Sequence, residues 1–131
     1  MIELLRALCA PAGVSGDERA AAEAAGEILR PLGEVSFTPL GGVACRVSSA
    51  AADAPLVLLT AHLDEIGLMV IRLTRDGFLK AAPCGGADRR SLAGARVTVH
   101  TESGPVPGVV GSVPPHLADE TNKGYPKAED L

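Results

Sequence analysis

Apolar residues recur every three or four positions over residues 1–10, which predicts a short amphipathic helix. A second helix is predicted to begin after Ser15 and to end near Arg30. Ser15 and Glu18 have the spacing of a capping box, in which the hydroxyl and the carboxylate each satisfy a backbone N–H. The inner face of this helix is rich in alanine, which allows close packing on a sheet. The opening of the chain is therefore predicted to be a helical scaffold.

Strand-like runs follow the second helix. Residues 34–38 and 43–47 flank the turn sequence PLGG at positions 39–42, which predicts a β-hairpin. After a small, polar loop at residues 48–55, the run LVLL at positions 56–59 is uniformly apolar. Such a run is typical of a strand covered on both faces, so we expect a buried central strand there.

Three residues that can bind a metal or move a proton lie just beyond this predicted strand: His62, Asp64 and Glu65. Open α/β sheets usually place their chemistry beyond the carboxyl ends of buried strands. His62 and Asp64 are two positions apart and would point to the same side of an extended backbone. A catalytic zinc needs about three protein ligands, and one imidazole cannot replace them. The pattern alone therefore leaves open both a metal ligand and a hydrogen-bonded structural histidine.

Helical spacing disappears after residue 66. Short strands separated by glycine-containing turns are predicted at residues 66–73, 78–81, 96–101 and 106–113. A β-rich module thus follows an α/β opening. We place a domain boundary near residues 66–70 and divide the chain into domains 1–66 and 67–131.

Composition narrows the classes of protein to which the chain can belong. Hydrophobic residues make up 47% of the 131 positions and aromatic residues only 2%, so the core must be built from aliphatic side chains. A net charge of -4 gives no electrostatic footprint for nucleic acid, and no apolar run reaches the length of a membrane span. We expect a soluble globular protein that binds neither nucleic acid nor a membrane.

The three cysteines, Cys9, Cys45 and Cys84, are widely spaced and form no C-x-x-C pair. An odd number without paired spacing argues against a disulfide framework and against a structural zinc knuckle. This usage fits a reducing compartment, so we expect a cytoplasmic protein.

Several motifs together resemble a known family in their order and spacing. The most specific of them are the run AHLDEIG at positions 61–67 and the run GSVPPH at positions 111–116. Shorter matches are AGVSG at 12–16, PLG at 39–41, DGFL at 76–79 and GG at 85–86. The family is that of the glutamyl and deblocking aminopeptidases, which includes the tetrahedral aminopeptidases and some members labelled endoglucanases. The resemblance covers essentially the whole chain.

The resemblance implies an α/β fold in which a di-metal aminopeptidase catalytic domain is interrupted by a β-barrel-like domain used for self-association. Residues 1–66 would be the start of the catalytic domain, and residues 67–131 would be part of the inserted domain. His62 falls on the family's first metal ligand. Asp64 falls on the catalytic-site carboxylate that orients this imidazole and raises its basicity.

The chemistry implied by the resemblance is that of a metallopeptidase, a hydrolase that removes amino-terminal residues from peptides. Two divalent metal ions, zinc or cobalt, would polarise the scissile carbonyl and lower the pKa of a water molecule. Peptides are the implied substrates, and a homo-oligomer is the implied assembly.

The family's remaining ligands and its general-base glutamate pair would lie beyond residue 131, and nothing in residues 118–131 replaces them. We therefore expect a truncated chain, about the amino-terminal third of such an enzyme, that is inactive alone and only marginally stable.

Three other interpretations stay open. The chain could be a non-catalytic, β-rich assembly module, because the ligands are incomplete. It could belong to a related di-zinc deacylase or carboxypeptidase, although those enzymes carry an α+β lid domain. A glucanase is indicated by family labels alone, since no pair of catalytic carboxylates is identifiable.

Overall fold

The computed structural model describes residues 1–112. Positions 113–131, which include the PPH sequence at 114–116, the end of the strand predicted at 106–113 and the segment 118–131, lie outside the described residues. The chain forms two compact units, Met1–Ile66 and a second unit that begins at Gly67.

Both predicted helices are present in the first unit. Helix α1 spans Ile2–Cys9 and helix α2 spans Arg19–Leu29. The buried face of α2 consists of small residues, Ala21, Ala22, Ala25 and Gly26. Because these side chains are short, neighbouring elements can approach the backbone of α2 closely.

The capping box predicted at the start of α2 is wrong. The carboxylate of Glu18 accepts a hydrogen bond from the backbone N–H of Gly16 at 2.8 Å, and no side chain caps the helix. The hydroxyl of Ser15 instead donates to the carboxylate of Asp64. A hydrogen bond to an ionised carboxylate is stronger than one between neutral groups, so the distant partner displaces the local one.

The predicted hairpin is confirmed as two antiparallel strands, β1 at Glu34–Phe37 and β2 at Val43–Arg46. The turn between them closes with the N–H of Thr38 donating to the carbonyl of Gly42 at 2.7 Å. Gly41 has a φ of 85°, a conformation that glycine adopts without steric cost. Helix α2 packs against both strands.

The buried strand predicted at residues 56–59 is wrong. This segment has no regular secondary structure, and its four apolar side chains are 72–93% exposed. A strand exists only where neighbouring strands accept and donate its backbone hydrogen bonds. Among residues 1–112, no other strand pairs with this segment. Its apolar sequence therefore stays in contact with solvent.

The second unit is built from short strands, as predicted, and these strands pair as β-hairpins. Strand β3, Gly67–Leu73, pairs with β4, Leu79–Cys84, and strand β5, Arg96–Thr101, pairs with β6, Gly104–Val109. A short 3-10 helix, Arg89–Ser91, lies between the two hairpins in the sequence. Each hairpin is a separate two-stranded sheet within the described residues. The barrel-like arrangement implied by the resemblance stays a prediction.

The apolar core of the described residues is small. Its buried hydrophobic members are Ala21, Ala22 and Ala25, whereas large apolar side chains lie exposed in both units. Cys9, Cys45 and Cys84 are free thiols. No helix within residues 1–112 has the length and apolar character needed to cross a lipid bilayer.

Candidate metal-ligand site

The structure brings His62 and Asp64 together just beyond the exposed apolar segment. The imidazole Nδ1 of His62 lies 3.0 Å from the backbone carbonyl oxygen of Asp64 and 3.4 Å from its carboxylate Oδ1. A carbonyl oxygen only accepts hydrogen bonds, so Nδ1 carries the proton and donates it. In the neutral ring, Nε2 then keeps its lone pair. The His62 side chain is 86% exposed, so a metal cation can reach Nε2.

The carboxylate of Asp64 is held on its other side by Ser15. The Ser15 Oγ donates to Asp64 Oδ2 at 2.5 Å. This hydrogen bond is the main reason why the pKa of Asp64 lies below its ordinary value, with the Asp64 backbone and His62 acting in the same direction. An ionised Asp64 is therefore available to stabilise the Nδ1–H of the imidazole.

The loop that precedes α2 is fixed to the segment that carries the site. The backbone N–H of Glu65 donates to the carbonyl of Gly13 at 2.7 Å, and the Gly13 N–H donates to the Glu65 carboxylate at 3.2 Å. Val14 and Glu65 form an isolated parallel β-bridge. These contacts explain why Ser15, distant in sequence, reaches Asp64.

Sequence reasoning missed the role of residues 13–15 in this site. The AGVSG motif at 12–16 contributed to the family resemblance, but its serine was interpreted as a helix cap. Residue spacing cannot show a contact across 49 positions. Only the order of the motifs could have indicated that the two segments belong to one site.

Among the described residues, His62 is an imidazole held beside a carboxylate. Within residues 1–112, no group of three or more histidine, cysteine, aspartate or glutamate side chains is arranged to hold an ion. His62 nevertheless fits the role of a single ligand, since zinc-bound histidines usually donate the other ring N–H to a carboxylate or carbonyl oxygen. The geometry of His62 is therefore compatible with that of a single metal ligand, and the described residues contain no complete metal site.

The segment that carries His62 and Asp64 matches a known protein family. The sequence model of a family described as M42 glutamyl aminopeptidase matches residues 41–131, more than half of the chain and a region that contains His62 and Asp64. The chain belongs to the M42 glutamyl aminopeptidase family.

Curated relatives of this M42 chain are aminopeptidases by name. The chain is 37% identical over 131 residues to the putative aminopeptidase FrvX of Escherichia coli K12, covering 98% of the chain and 36% of the relative. It is also 37% identical over 120 residues to the lysyl aminopeptidase of Pyrococcus furiosus, covering 90% of the chain and 34% of the relative. The chain thus spans about a third of the length of these relatives.

Solved structures of aminopeptidases are also similar to this chain. The TET aminopeptidase from the marine sediment archaeon Thaumarchaeota archaeon SCGC AB-539-E09 matches with a TM-score of 0.86 at 33% identity, over 98% of this chain and 36% of that one. The TET1 peptidase of Pyrococcus horikoshii matches with a TM-score of 0.81 at 32% identity, over 99% of this chain and 38% of that one. That protein can assemble into a tetrahedron or a large octahedral shell.

Proposed function

We propose that this chain contributes the first metal ligand to a metal-dependent aminopeptidase that hydrolyses amino-terminal residues from peptides. The observation that carries the proposal is the orientation of His62, whose Nδ1 is engaged by Asp64 while Nε2 stays accessible. Membership of the M42 family gives this geometry its chemical context. The hydrolase and metallopeptidase character of the protein, its peptide substrates and its cytoplasmic location are parts of the same proposal.

In this proposal, His62 binds one metal ion through Nε2, and Asp64 fixes the ring by accepting from the Nδ1 side. The negative charge of Asp64 raises the electron density on Nε2, which makes the imidazole a better ligand. The expected cofactor is a pair of divalent ions, zinc or cobalt, which would polarise the scissile carbonyl and lower the pKa of a water molecule. The other ligands are not among the described residues.

The two units fit different parts of the proposed enzyme. The unit Met1–Ile66 carries His62 and would belong to the α/β catalytic domain. The hairpins that begin at Gly67 would belong to an inserted, β-barrel-like domain that supports homo-oligomer formation. The assembly of the similar Pyrococcus horikoshii peptidase into closed shells supports this assignment.

The decisive experiment uses the protein expressed from its complete reading frame. A peptide with a free amino terminus and the same peptide carrying an amino-terminal acetyl group are incubated with the protein, and products are identified by mass spectrometry. We expect release of the amino-terminal residue from the free peptide only, with loss of activity when a chelator is added. The substitution His62→Ala should abolish turnover of the peptide.

The matched control is His100→Ala, which removes an exposed histidine of β5 and should leave turnover unchanged. Equal loss of activity in both variants, or full activity of His62→Ala, would contradict the proposal. Cleavage from the carboxyl terminus, or deacylation of the acetylated peptide, would favour a related di-zinc carboxypeptidase or deacylase.

A second candidate is a non-catalytic assembly module, favoured because no group of three or more possible metal ligands is found within residues 1–112. The β3–β4 hairpin also exposes a series of apolar side chains: Met69, Val70, Ile71, Leu73 and Phe78. Size-exclusion chromatography with light scattering distinguishes the candidates. A defined oligomer of the 131-residue chain that forms equally with and without metal, together with no peptide cleavage, would support the module.

A further inference from the structure

The contact between Ser15 and Asp64 is not explained by the local fold. A serine three residues before a glutamate is the pattern of a capping box, yet here the hydroxyl donates to Asp64 and no side chain caps the helix. Asp64 is itself partly exposed, with 42% of its side chain accessible, so solvent could have satisfied its carboxylate. Ser15 therefore donates a hydrogen bond to a carboxylate that water could also have solvated.

The hydrogen bond from the Ser15 hydroxyl fixes the orientation of the Asp64 carboxylate. Ser15 occupies Oδ2 at 2.5 Å, and the other oxygen, Oδ1, then faces the imidazole Nδ1 of His62 at 3.4 Å. An ionised carboxylate accepts but cannot donate, so the Ser15 O–H must point at Asp64. Without this donor, the carboxylate could rotate away from the imidazole.

Backbone hydrogen bonds hold the segment that precedes Ser15 in place beside residues 64 and 65. Gly13 is buried and exchanges hydrogen bonds with Glu65 in both directions, at 2.7 and 3.2 Å. The bridge between Val14 and Glu65 lies between these bonds and Ser15. The serine thus sits on a segment whose position relative to residues 64 and 65 is set by the main chain.

We propose that Ser15 is a positioning residue for the metal ligand His62 and that it acts by holding the carboxylate of Asp64 toward the Nδ1 side of the ring. This inference rests on the proposed function, because it assumes that Nε2 of His62 binds a divalent cation. It adds the loop before α2 to the site and assigns the serine of the AGVSG motif a part in cation binding.

The test measures zinc affinity in the protein from its complete reading frame, by competition between the metal-free protein and a chromophoric chelator. Removing a group that supports a ligand typically weakens metal binding by about 10–100-fold. Ser15 acts one contact further away, so Ser15→Ala should weaken zinc binding by about tenfold, at the lower end of that range. Ser15→Thr keeps the hydroxyl and should restore most of the affinity.

Two further readouts separate positioning from general damage. Because Ser15 does not contact the substrate in this proposal, Ser15→Ala at saturating zinc should lower kcat with little change in KM for the peptide. Ser36→Ala removes an exposed hydroxyl from β1 and is the matched control, with unchanged zinc affinity expected. If Ser15→Ala does not fold, as judged by circular dichroism, Ser15→Val takes its place, because it has the shape of the Ser15→Thr variant without the hydroxyl, and it should bind zinc about tenfold more weakly than Ser15→Thr does.

Each outcome decides the proposal. Unchanged zinc affinity in Ser15→Ala, with turnover still dependent on His62, would overturn the role of Ser15 and leave the proposed function intact. Weaker zinc binding that Ser15→Thr restores, in a protein that cleaves no peptide, would support the role of Ser15 and remove the peptidase assignment. A wild-type protein that binds no zinc would overturn both.

Discussion

The exposed run at residues 56–59 gives the most demanding prediction about this protein. Its sequence is that of a buried strand, yet its side chains are 72–93% exposed in the described chain. Full burial of one such aliphatic side chain contributes about 1.5–3 kcal/mol, so the four together could contribute about 6–12 kcal/mol as an upper bound. That is comparable to the whole net stability of a typical domain. We therefore expect the 131-residue chain by itself to self-associate through this run.

The perturbation is Leu59→Lys, and the matched control is Leu40→Lys. The two leucines are almost equally exposed, at 90% and 95%, but Leu40 lies alone in the turn between β1 and β2. In the isolated chain, Leu59→Lys should reduce light scattering and binding of a hydrophobic dye, because a charge interrupts the apolar run. Leu40→Lys should change neither signal appreciably.

If the reading frame encodes a longer product, Leu59→Lys should be the more destabilising of the two substitutions in that product. If other strands cover residues 56–59 there, Leu59→Lys buries an unpaired ammonium group and lowers the free energy of unfolding by at least about 3 kcal/mol. Leu40→Lys stays at the surface and should change it by no more than about 0.5 kcal/mol. Urea unfolding followed by circular dichroism measures both values. An isolated wild-type chain that is monomeric and binds no dye, or equal effects of the two lysines, would refute the reasoning.

Two other predictions follow from local geometry. A Cβ added at Gly33 would clash with the backbone carbonyl oxygen of Arg46, so Gly33→Ala should lower the free energy of unfolding by about 1–3 kcal/mol, measured by urea unfolding. Gly86→Ala, which meets no atom within 4 Å, is its control and should leave the free energy of unfolding unchanged. The hydrogen bond from the Arg90 guanidinium lowers the pKa of Asp88, so the ionised carboxylate stabilises the folded turn above the ordinary aspartate pKa and this contribution is lost as the pH falls through the lowered value. NMR titration of the Asp88 carboxyl should show Arg90→Gln returning the pKa toward its ordinary value, and an identical pKa in the two proteins would contradict this account.

The sequence alone determined the elements that depend on short-range interactions. Helices α1 and α2, the β1–β2 hairpin and the later short strands lie close to their predicted positions, because apolar spacing and turn residues act within a few positions of each other. The family could also be identified from the order of its motifs, and the match at residues 41–131 confirms it. Two positions separate His62 and Asp64, and the proximity of their side chains expected from this spacing is observed as 3.4 Å between Nδ1 and Oδ1.

The hydrogen-bond partner of Ser15 and the exposure of residues 56–59 could be learned only from the folded chain. Both depend on groups far away in the sequence, which local patterns do not describe. The hydroxyl of Ser15 had a possible partner three residues away and a charged one 49 residues away, and the charged carboxylate of Asp64 formed the bond. The apolar run could become a buried strand only beside other strands, and among the described residues none pairs with it. Burial and hydrogen bonding depend on the folded chain, whereas a sequence pattern indicates only which residues are suited to them.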